Sequence, residues 1–406
     1  MSVRKRTWTT AKGVEKEAWV VDYVDQSGKR RLKTCAKKKD ADRYEATSRV
    51  EVMHGTHTAD SASVTIAEAG KRWIESADSA GLERSTVDQY KAHLRFHIVP
   101  FLGRTKLSQL SAPTVREFED RLRKGEEPGA DAPRPRSPAM VKKVRGSLSA
   151  LIGDAQERGL INRNVVRDLR ARRKRGKERQ AERRQRGRLK IGVDIPSPAE
   201  IKAIVGALQG RWRPIMLTAI FTGLRASELR GLRWEDVDLA KKELHVRQRA
   251  DRYNEIGAPK SEAGERSVPL TPIVLNALRE WKLAAPKSDL DLVFGSSRGT
   301  IQSHANLINR ALVPVQLAAG VTVTEKRPDG APIVRAKYTG LHALRHFYAS
   351  WCINAASAGG LGLAPKVVQE RLGHSSIMMT MDTYGHLFER GDDSAALAAA
   401  ERSLLA

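Results

Sequence analysis

The chain has 406 residues, with 72 Lys and Arg against 47 Asp and Glu, a formal charge of +25. The length suits two or three domains with a sizeable core. The charge points to a polyanionic partner, nucleic acid first, although a ribosomal or membrane-surface protein carries a similar excess. The two cysteines, Cys35 and Cys352, are far apart and near no His or Cys at ligand spacing, so neither a disulfide framework nor a zinc site is indicated. No apolar run has signal-peptide character or transmembrane length, so the expectation is a soluble cytoplasmic protein (or a nuclear one) with no membrane partner.

Residues 1–57 read as a small basic α+β module. Trp19–Val24 and Lys29–Lys33 are strand-like about a turn at Gln26-Ser27-Gly28. Lys37 to Met53 has helical composition, with Ala41, Tyr44, Ser48 and Val52 on one side. In so basic a chain this predicts a sheet-plus-helix DNA reader.

Residues 63–168 are helical in pattern. Ile66, Ala69, Trp73, Ile74 and Ala77 share one face. Val87, Tyr90, Leu94 and Ile98 share another, with Pro100 expected to stop the helix. Thr114–Leu122 is a third helix, and a Pro-rich loop runs from Gly125 to Pro135. Ser137-Pro138 opens a fourth, with Met140, Val144, Leu148, Leu151 and Ala155 in phase. Lys71, Arg72, Lys91, Arg95, Lys142, Lys143 and Arg145 are candidates to face phosphates. Residues 170–190 then carry twelve basic and two acidic side chains, a block that repels itself and should stay loose without a counter-anion. This predicts a basic linker, 169–194, lying along a DNA backbone.

The last domain, 195–406, opens on Ser197-Pro198-Ala199-Glu200, a capping box with Pro at the first helical position. Pro214–Phe221 is apolar enough for a buried helix, Gly223 ends it, and Arg225–Leu229 begins another. Glu243–Gln248 and Arg266–Leu270 are strand-like and flank a polar loop holding Lys260. Thr271-Pro272 starts a further helix, Val321–Tyr338 is a polar insertion, and Ser394 to Ala406 is a short helix. The fold class is therefore mainly α with small β-sheets: a small α+β module, a helical domain and a mostly α final domain.

The chemistry-bearing residues lie late. His342, Arg345 and His346 sit in HALRH, His374 ends LGH, and Tyr384 follows ten residues on. A tyrosine amid such cations suits attack of a phenolic oxygen on a phosphodiester. An ordinary phenol, with a pKa of about 10, needs help at neutral pH: cations to lower it and a histidine to take its proton.

TGLRASEL at 222–229, Lys260, HALRH, LGH and Tyr384 together resemble the tyrosine recombinase, or phage integrase, family. The motifs cover about 195–390; over 1–170 the resemblance rests on an arm-binding, core-binding and catalytic layout. It implies a catalytic set of Arg225, Lys260, His342, Arg345, His374 and Tyr384. In it, two arginines fork the phosphate oxygens, His342 has the acid/base role, His374 supports the phosphate, Lys260 protonates the departing 5′ oxygen and Tyr384 attacks. Glu228, one helical turn after Arg225, is placed to orient that arginine or the histidine, or to serve as a plain charge at the helix N-terminus. His346 and His386 are expected to be structural. The resemblance further implies a 3′-phosphotyrosyl intermediate, no ATP, metal or other cofactor, double-stranded DNA attachment sites, a homotetramer on DNA, and accessory DNA-bending or directionality factors; the apolar face of the C-terminal tail helix suits docking on a neighbouring protomer, against packing on its own domain or fraying.

A type IB topoisomerase shares the covalent chemistry, but the separate N-terminal module and the LGH-to-tyrosine spacing favour recombination. A catalytically silent DNA-binding regulator is opposed by the full residue set, and a metal-dependent nuclease by the missing carboxylate cluster.

Overall fold

A computed structural model describes the chain except residues 12, 26, 56, 58, 61, 62, 127–131, 170–187, 328 and 389–392; for 393–397 and 400 it describes the backbone alone. Most of the expected basic linker, part of the loop from Gly125 to Pro135, and Gln26 of the first turn therefore lie outside the described residues. The chain divides into two compact units, 1–173 and 174–406.

The first unit opens with an antiparallel meander, β1 (Ser2–Thr9), β2 (Glu15–Val24) and β3 (Arg30–Cys35), backed by helix α1 (Lys38–Met53). Val21, Tyr23 and Ala41 form its small core. Strand β1 escaped the sequence reading because SVRKRTWT has no apolar alternation; it is exposed along almost its whole length and is held by its ladder to β2.

The helical part of this unit comprises α2 (Ile66–Ser79), α3 (Arg84–His93), α4 (Val99–Leu102), α5 (Ala112–Lys124), α6 (Pro138–Glu157) and α7 (Val165–Asp168), around a core that includes Trp73, Ile98, Phe118 and Leu148. Thr65, Ser111 and Ser137 cap α2, α5 and α6 with their hydroxyls. Pro100 does not stop its helix. A π-helical turn, Leu94–Ile98, joins α3 to α4, and the proline sits in the first turn of α4, where its missing N–H costs nothing. The same device recurs at Leu307–Leu312, just before Pro314. Of the candidate phosphate-facing residues, Arg145 is drawn instead to buried Glu119, which also receives Arg116 and Arg123, and Lys91 pairs with Asp78.

The second unit is mostly helical: α8 (Pro198–Ala207), α9 (Trp212–Thr222), α10 (Ala226–Gly231), α11 (Pro272–Ala284), α12 (His304–Asn306), α13 (Val313–Ala318), α14 (His342–Ile353), α15 (Pro365–Leu372), α16 (Ile377–Tyr384) and α17 (Asp393–Leu405). Its strands form small antiparallel sheets. Strands β4 (Val237–Asp238), β5 (Glu243–Val246) and β8 (Arg266–Pro269) pair in the order β4-β5-β8, and β6 (Arg249–Ala250) pairs with β7 (Ile256–Gly257). The apolar stretch of α9 is buried as expected, at the centre of a core shared with α11 and α14. Among the described residues no helix is long and apolar enough to cross a membrane.

The polar insertion is a hairpin, β9 (Thr322–Lys326) against β10 (Pro332–Ala336). Its return is tethered to the capping box of α8. Glu200 accepts from the Ser197 backbone (2.8 Å), the Tyr338 hydroxyl (2.8 Å) and Lys337 (2.6 Å). Glu200→Ala removes a cap and two tethers at once, so it should destabilise the protein by about 2–3 kcal/mol in urea unfolding, and Tyr338→Phe by about 1 kcal/mol.

Candidate active site

The short helix α10 organises the site. Gly223 takes a left-handed conformation (φ 63°) at the end of α9, and the chain turns through Leu224 into α10. Arg225 stands at the N-cap. Its backbone N–H donates to Glu228 Oε2 (2.8 Å), its Nη1 donates to Glu228 Oε1 (2.7 Å), and its Nη2 donates to the Gly373 carbonyl (3.0 Å). Glu228 is 3% exposed and is shared with a second arginine, Arg266, which reaches Oε2 at 2.8 Å and Oε1 at 3.2 Å. Burial alone would raise the Glu228 carboxyl, but the charge and hydrogen bonds of Arg266, with those of Arg225, bring it down to about 2. Arg266 is itself pinned by the Arg371 carbonyl (2.8 Å) and the Gly264 carbonyl (2.9 Å).

Arg345, on α14, is 2% exposed. Its Nη1 donates to the Gly223 carbonyl (2.7 Å) and its Nη2 to the Leu372 carbonyl. Burial, with the charge of Arg225 beside it, lowers the guanidinium to about 9. The LGH motif thus works through its backbone as well as its histidine. Leu372 seats one arginine and Gly373 the other. Only glycine fits at 373: φ is 63°, and a Cβ there would lie 2.8 Å from Arg266 Nη1 and 2.9 Å from the Ala263 carbonyl.

Tyr384 ends α16 and is 2% exposed. Its hydroxyl is hydrogen-bonded to Nδ1 of His346 at 2.7 Å. Burial raises the phenol to about 12, against a smaller downward pull from Arg345. His346 lies near 4, lowered by burial and then by His342 and Arg345. His342, one turn earlier on α14, is exposed and stands edge-on to His346, with ring centroids 4.5 Å apart. His374 lies parallel to the Tyr384 ring at 6.4 Å, and its Nδ1 bonds Thr380 Oγ1 at 2.9 Å. Thr380 and Tyr384 share a face of α16, four residues apart, so one helix face both orients His374 and carries the tyrosine. Burial, then Arg345 and Arg225, lower His374 to about 4.

The structure therefore gathers Arg225, His342, Arg345, His374 and Tyr384, with Glu228 beneath the arginines. Lys260 lies on the exposed loop between β7 and β8, six residues before Arg266. His386 bonds the Leu189 carbonyl (2.8 Å). Three participants were invisible in the sequence as such. In the sequence Arg266 reads only as the start of a strand, His346 as structural, and Thr380 carries no signal; Arg266 and His346 acquire their parts through contacts 38 residues apart in the chain, and Thr380 through the turn that returns to His374.

The Glu228 carboxyl is ordinarily protonated below about 4.5 and here holds its charge to about 2. Because the folded value is depressed, its contribution is full above pH 4.5 and is lost as pH falls from there through 2. Acid unfolding of the wild type should show this loss, and Glu228→Gln should remove that part of the pH dependence while lowering stability at pH 7 by about 3 kcal/mol, since both arginines lose their counter-charge.

Residues 197–390 match the phage integrase family. The chain is similar to a XerC-like tyrosine recombinase of Caldanaerobacter subterraneus subsp. tengcongensis, at 24% identity over 80% of each chain. It is also similar to the prophage integrase IntR of Escherichia coli, at 24% identity over 75% of this chain and 72% of that one. Among solved structures, its fold resembles the Tn1549 transposon integrase in complex with transposon right end DNA (TM-score 0.59, 20% identity, 84% of this chain and 100% of that one). It also resembles the lambda integrase tetramer bound to a Holliday junction (TM-score 0.52, 18% identity, 91% of this chain and 95% of that one). With the arginines, histidines and tyrosine of the motifs gathered in one site, residues 197–390 form a domain of the phage integrase family.

Proposed function

We propose that the protein is a site-specific DNA recombinase that integrates or excises a mobile element, with Tyr384 as its nucleophile. The observation that carries this reading is the seating of Arg225 and Arg345 on neighbouring carbonyls, 372 and 373, beside the Tyr384–His346 pair. Two such guanidiniums match the two non-bridging oxygens of a phosphodiester and stabilise the charge that grows in the transition state. Arg345 keeps N–H groups beyond the two on carbonyls, and its exclusion from water strengthens any bond to phosphate.

In this reading the phosphate draws in between the arginines and His374, and Tyr384 leaves His346 to meet the phosphorus. A 3′-phosphotyrosyl bond forms, the P–O5′ bond breaks, and the 5′ oxygen takes a proton from Lys260. The phenol proton passes to a histidine of the His342–His346 pair. The covalent bond preserves the phosphodiester energy, so no nucleotide cofactor is required. Residues 1–57, 63–168 and 195–406 serve as arm-binding, core-binding and catalytic parts, with 169–194 as a basic linker along the duplex, and the protein works in the cytoplasm on double-stranded attachment sites. Similarity to an integrase solved as a DNA-bound tetramer supports a homotetramer as the working assembly.

A suicide substrate, nicked DNA carrying the attachment sequence, tests the nucleophile. The wild type should form a covalent adduct on a denaturing gel, and Tyr384→Phe should form none while still binding. An adduct that persists in the mutant places the nucleophile elsewhere; relaxation of plasmids lacking a site pair would favour a topoisomerase. The terminal helix α17 leaves Leu404 and Leu405 84% and 77% exposed, fitting a tail that docks on a neighbouring protomer. Truncation at Gly391 should then reduce complexes on paired sites from tetramers to smaller species in native mass measurements, and unchanged assembly would refute the exchange.

A further inference from the structure

Arg230 is 3% exposed yet contributes nothing to the arginine pair of the site. Its bonds go to neutral oxygens. Nε donates to the Gln302 carbonyl (2.6 Å), Nη1 to the Asp251 carbonyl (2.8 Å) and more distantly to that of Ala250 (3.4 Å), and Nη2 to Asn254 Oδ1. A buried guanidinium spread over carbonyls is a costly way to fill space, since it gives up hydration without a bidentate carboxylate in return. It is a good way to fix backbone, because a planar fork dictates where several acceptors lie at once.

What it fixes is the hairpin that leads into the lysine loop. Strands β6 and β7 pair through Arg249↔Gly257 and Ala250↔Ile256. Their turn is drawn in by Asp251, whose Oδ1 accepts from the backbone of Tyr253 (2.8 Å) and Glu255 (2.9 Å), and Asn254 holds a left-handed φ of 65°. The end of α10 lies directly on this hairpin. A Cβ at Gly231 would stand 2.7 Å from the Ala250 nitrogen, and Gln248 Nε2 donates to the Gly231 carbonyl (2.7 Å). The chain then runs through 258–265, where Pro259 and Gly264 close a narrow neck: a Cβ on Gly264 would fall 2.6 Å from Pro259 Cβ. Lys260 is the first residue beyond that neck. On the far side Arg266 returns to Glu228 and bonds the Gly264 carbonyl. One short helix therefore anchors both ends of the lysine loop, Arg230 at the entry and Glu228 at the exit.

We propose that Arg230 is a positioning residue for proton delivery by Lys260. It acts at a distance from the DNA, by holding the β6–β7 hairpin so that the ammonium meets the 5′ oxygen as the P–O5′ bond breaks. The proposal rests on the reading of Lys260 as the general acid. A substrate with a bridging sulfur in place of the 5′ oxygen separates the two ideas. A thiol is a far stronger acid than an alcohol, so the sulfur departs as thiolate without a proton, and a defect in proton delivery vanishes.

Covalent adduct formation by the full-length protein would be timed on oxygen and sulfur suicide substrates for Lys260→Ala, Arg230→Gln and Asn254→Gly. Asn254→Gly keeps the left-handed turn and deletes only the acceptor, so it guards against a misfolded Arg230 variant. On oxygen, Lys260→Ala should be slower by about 100-fold or more, Arg230→Gln by about 10- to 100-fold and Asn254→Gly by a few-fold. On sulfur, all three should return to near the wild-type rate. Equal losses for Arg230→Gln on both substrates would make Arg230 a general structural clamp, and wild-type rates on oxygen would show the hairpin held without it; either overturns the proposal. Failure of sulfur to rescue Lys260→Ala would instead overturn the general-acid reading, and the proposal with it.

Discussion

The site depends on three guanidiniums gathered around one carboxylate. Arg225 and Arg266 both act electrostatically on Arg345, and Glu228 is the acid that faces all three. Glu228 compensates Arg225 and Arg266 directly and reaches Arg345 only through space. Arg345 bears the imbalance: burial and its neighbours weaken its hold on its proton. An anion arriving between Arg225 and Arg345 relieves that repulsion, so the cluster is built to favour its ligand in charge as well as in shape. The cost of keeping these cations close in the free protein is met by backbone carbonyls, which offer partial negative charge without titrating.

Those carbonyls explain why the motifs are glycine-containing. Gly223 ends α9 and presents its carbonyl to Arg345; Gly373 ends α15 and presents its carbonyl to Arg225. Both adopt φ 63°. At 223 a Cβ would strike the Tyr348 ring at 2.4 Å, and at 373 it would strike Arg266. In each case a helix C-terminus, where carbonyls lack intrahelical partners, is turned into a seat for an arginine. Arg225 and Arg345 are thus held by helix ends, and the two segments that look least related in sequence, TGL and LGH, perform equivalent tasks.

This division accounts for what could be read from the chain alone. Helices with caps and periodic apolar faces were legible: Ser197–Glu200 and Ser137-Pro138 specify their starts locally, and the α9 run PIMLTAIF declares its own burial. The mainly α fold with small sheets followed from such signals. Strand β1 was not legible, because its pairing with β2 supplies what its own side chains do not. Pro100 misled because the rule against proline inside helices assumes an α ladder, and a π turn supplies another. Within the site, Glu228 was legible by its helical spacing from Arg225. The parts played by Arg266, Thr380 and His346 were not, since each depends on a partner at least six residues away whose approach is set by the fold; Arg266 meets Glu228 across 38 residues of chain.

The pairing of Tyr384 with His346 also constrains how the reaction starts. With the phenol near 12 and the imidazole near 4, both partners are neutral at physiological pH. Burial pushes the two groups in opposite directions, so proton transfer within this bond, which would leave a phenolate and an imidazolium out of water, is strongly disfavoured. The hydrogen bond therefore holds Tyr384, the proposed nucleophile, without activating it. Both values are displaced mainly by burial, so whatever draws the Tyr384 oxygen out toward a phosphate and admits polar groups around the imidazole brings them back toward each other. Activation and exposure become the same event. In the proposed reaction Tyr384 leaves His346 only as the arginines take up a phosphate, so the bond keeps the phenol from attacking before its target is held.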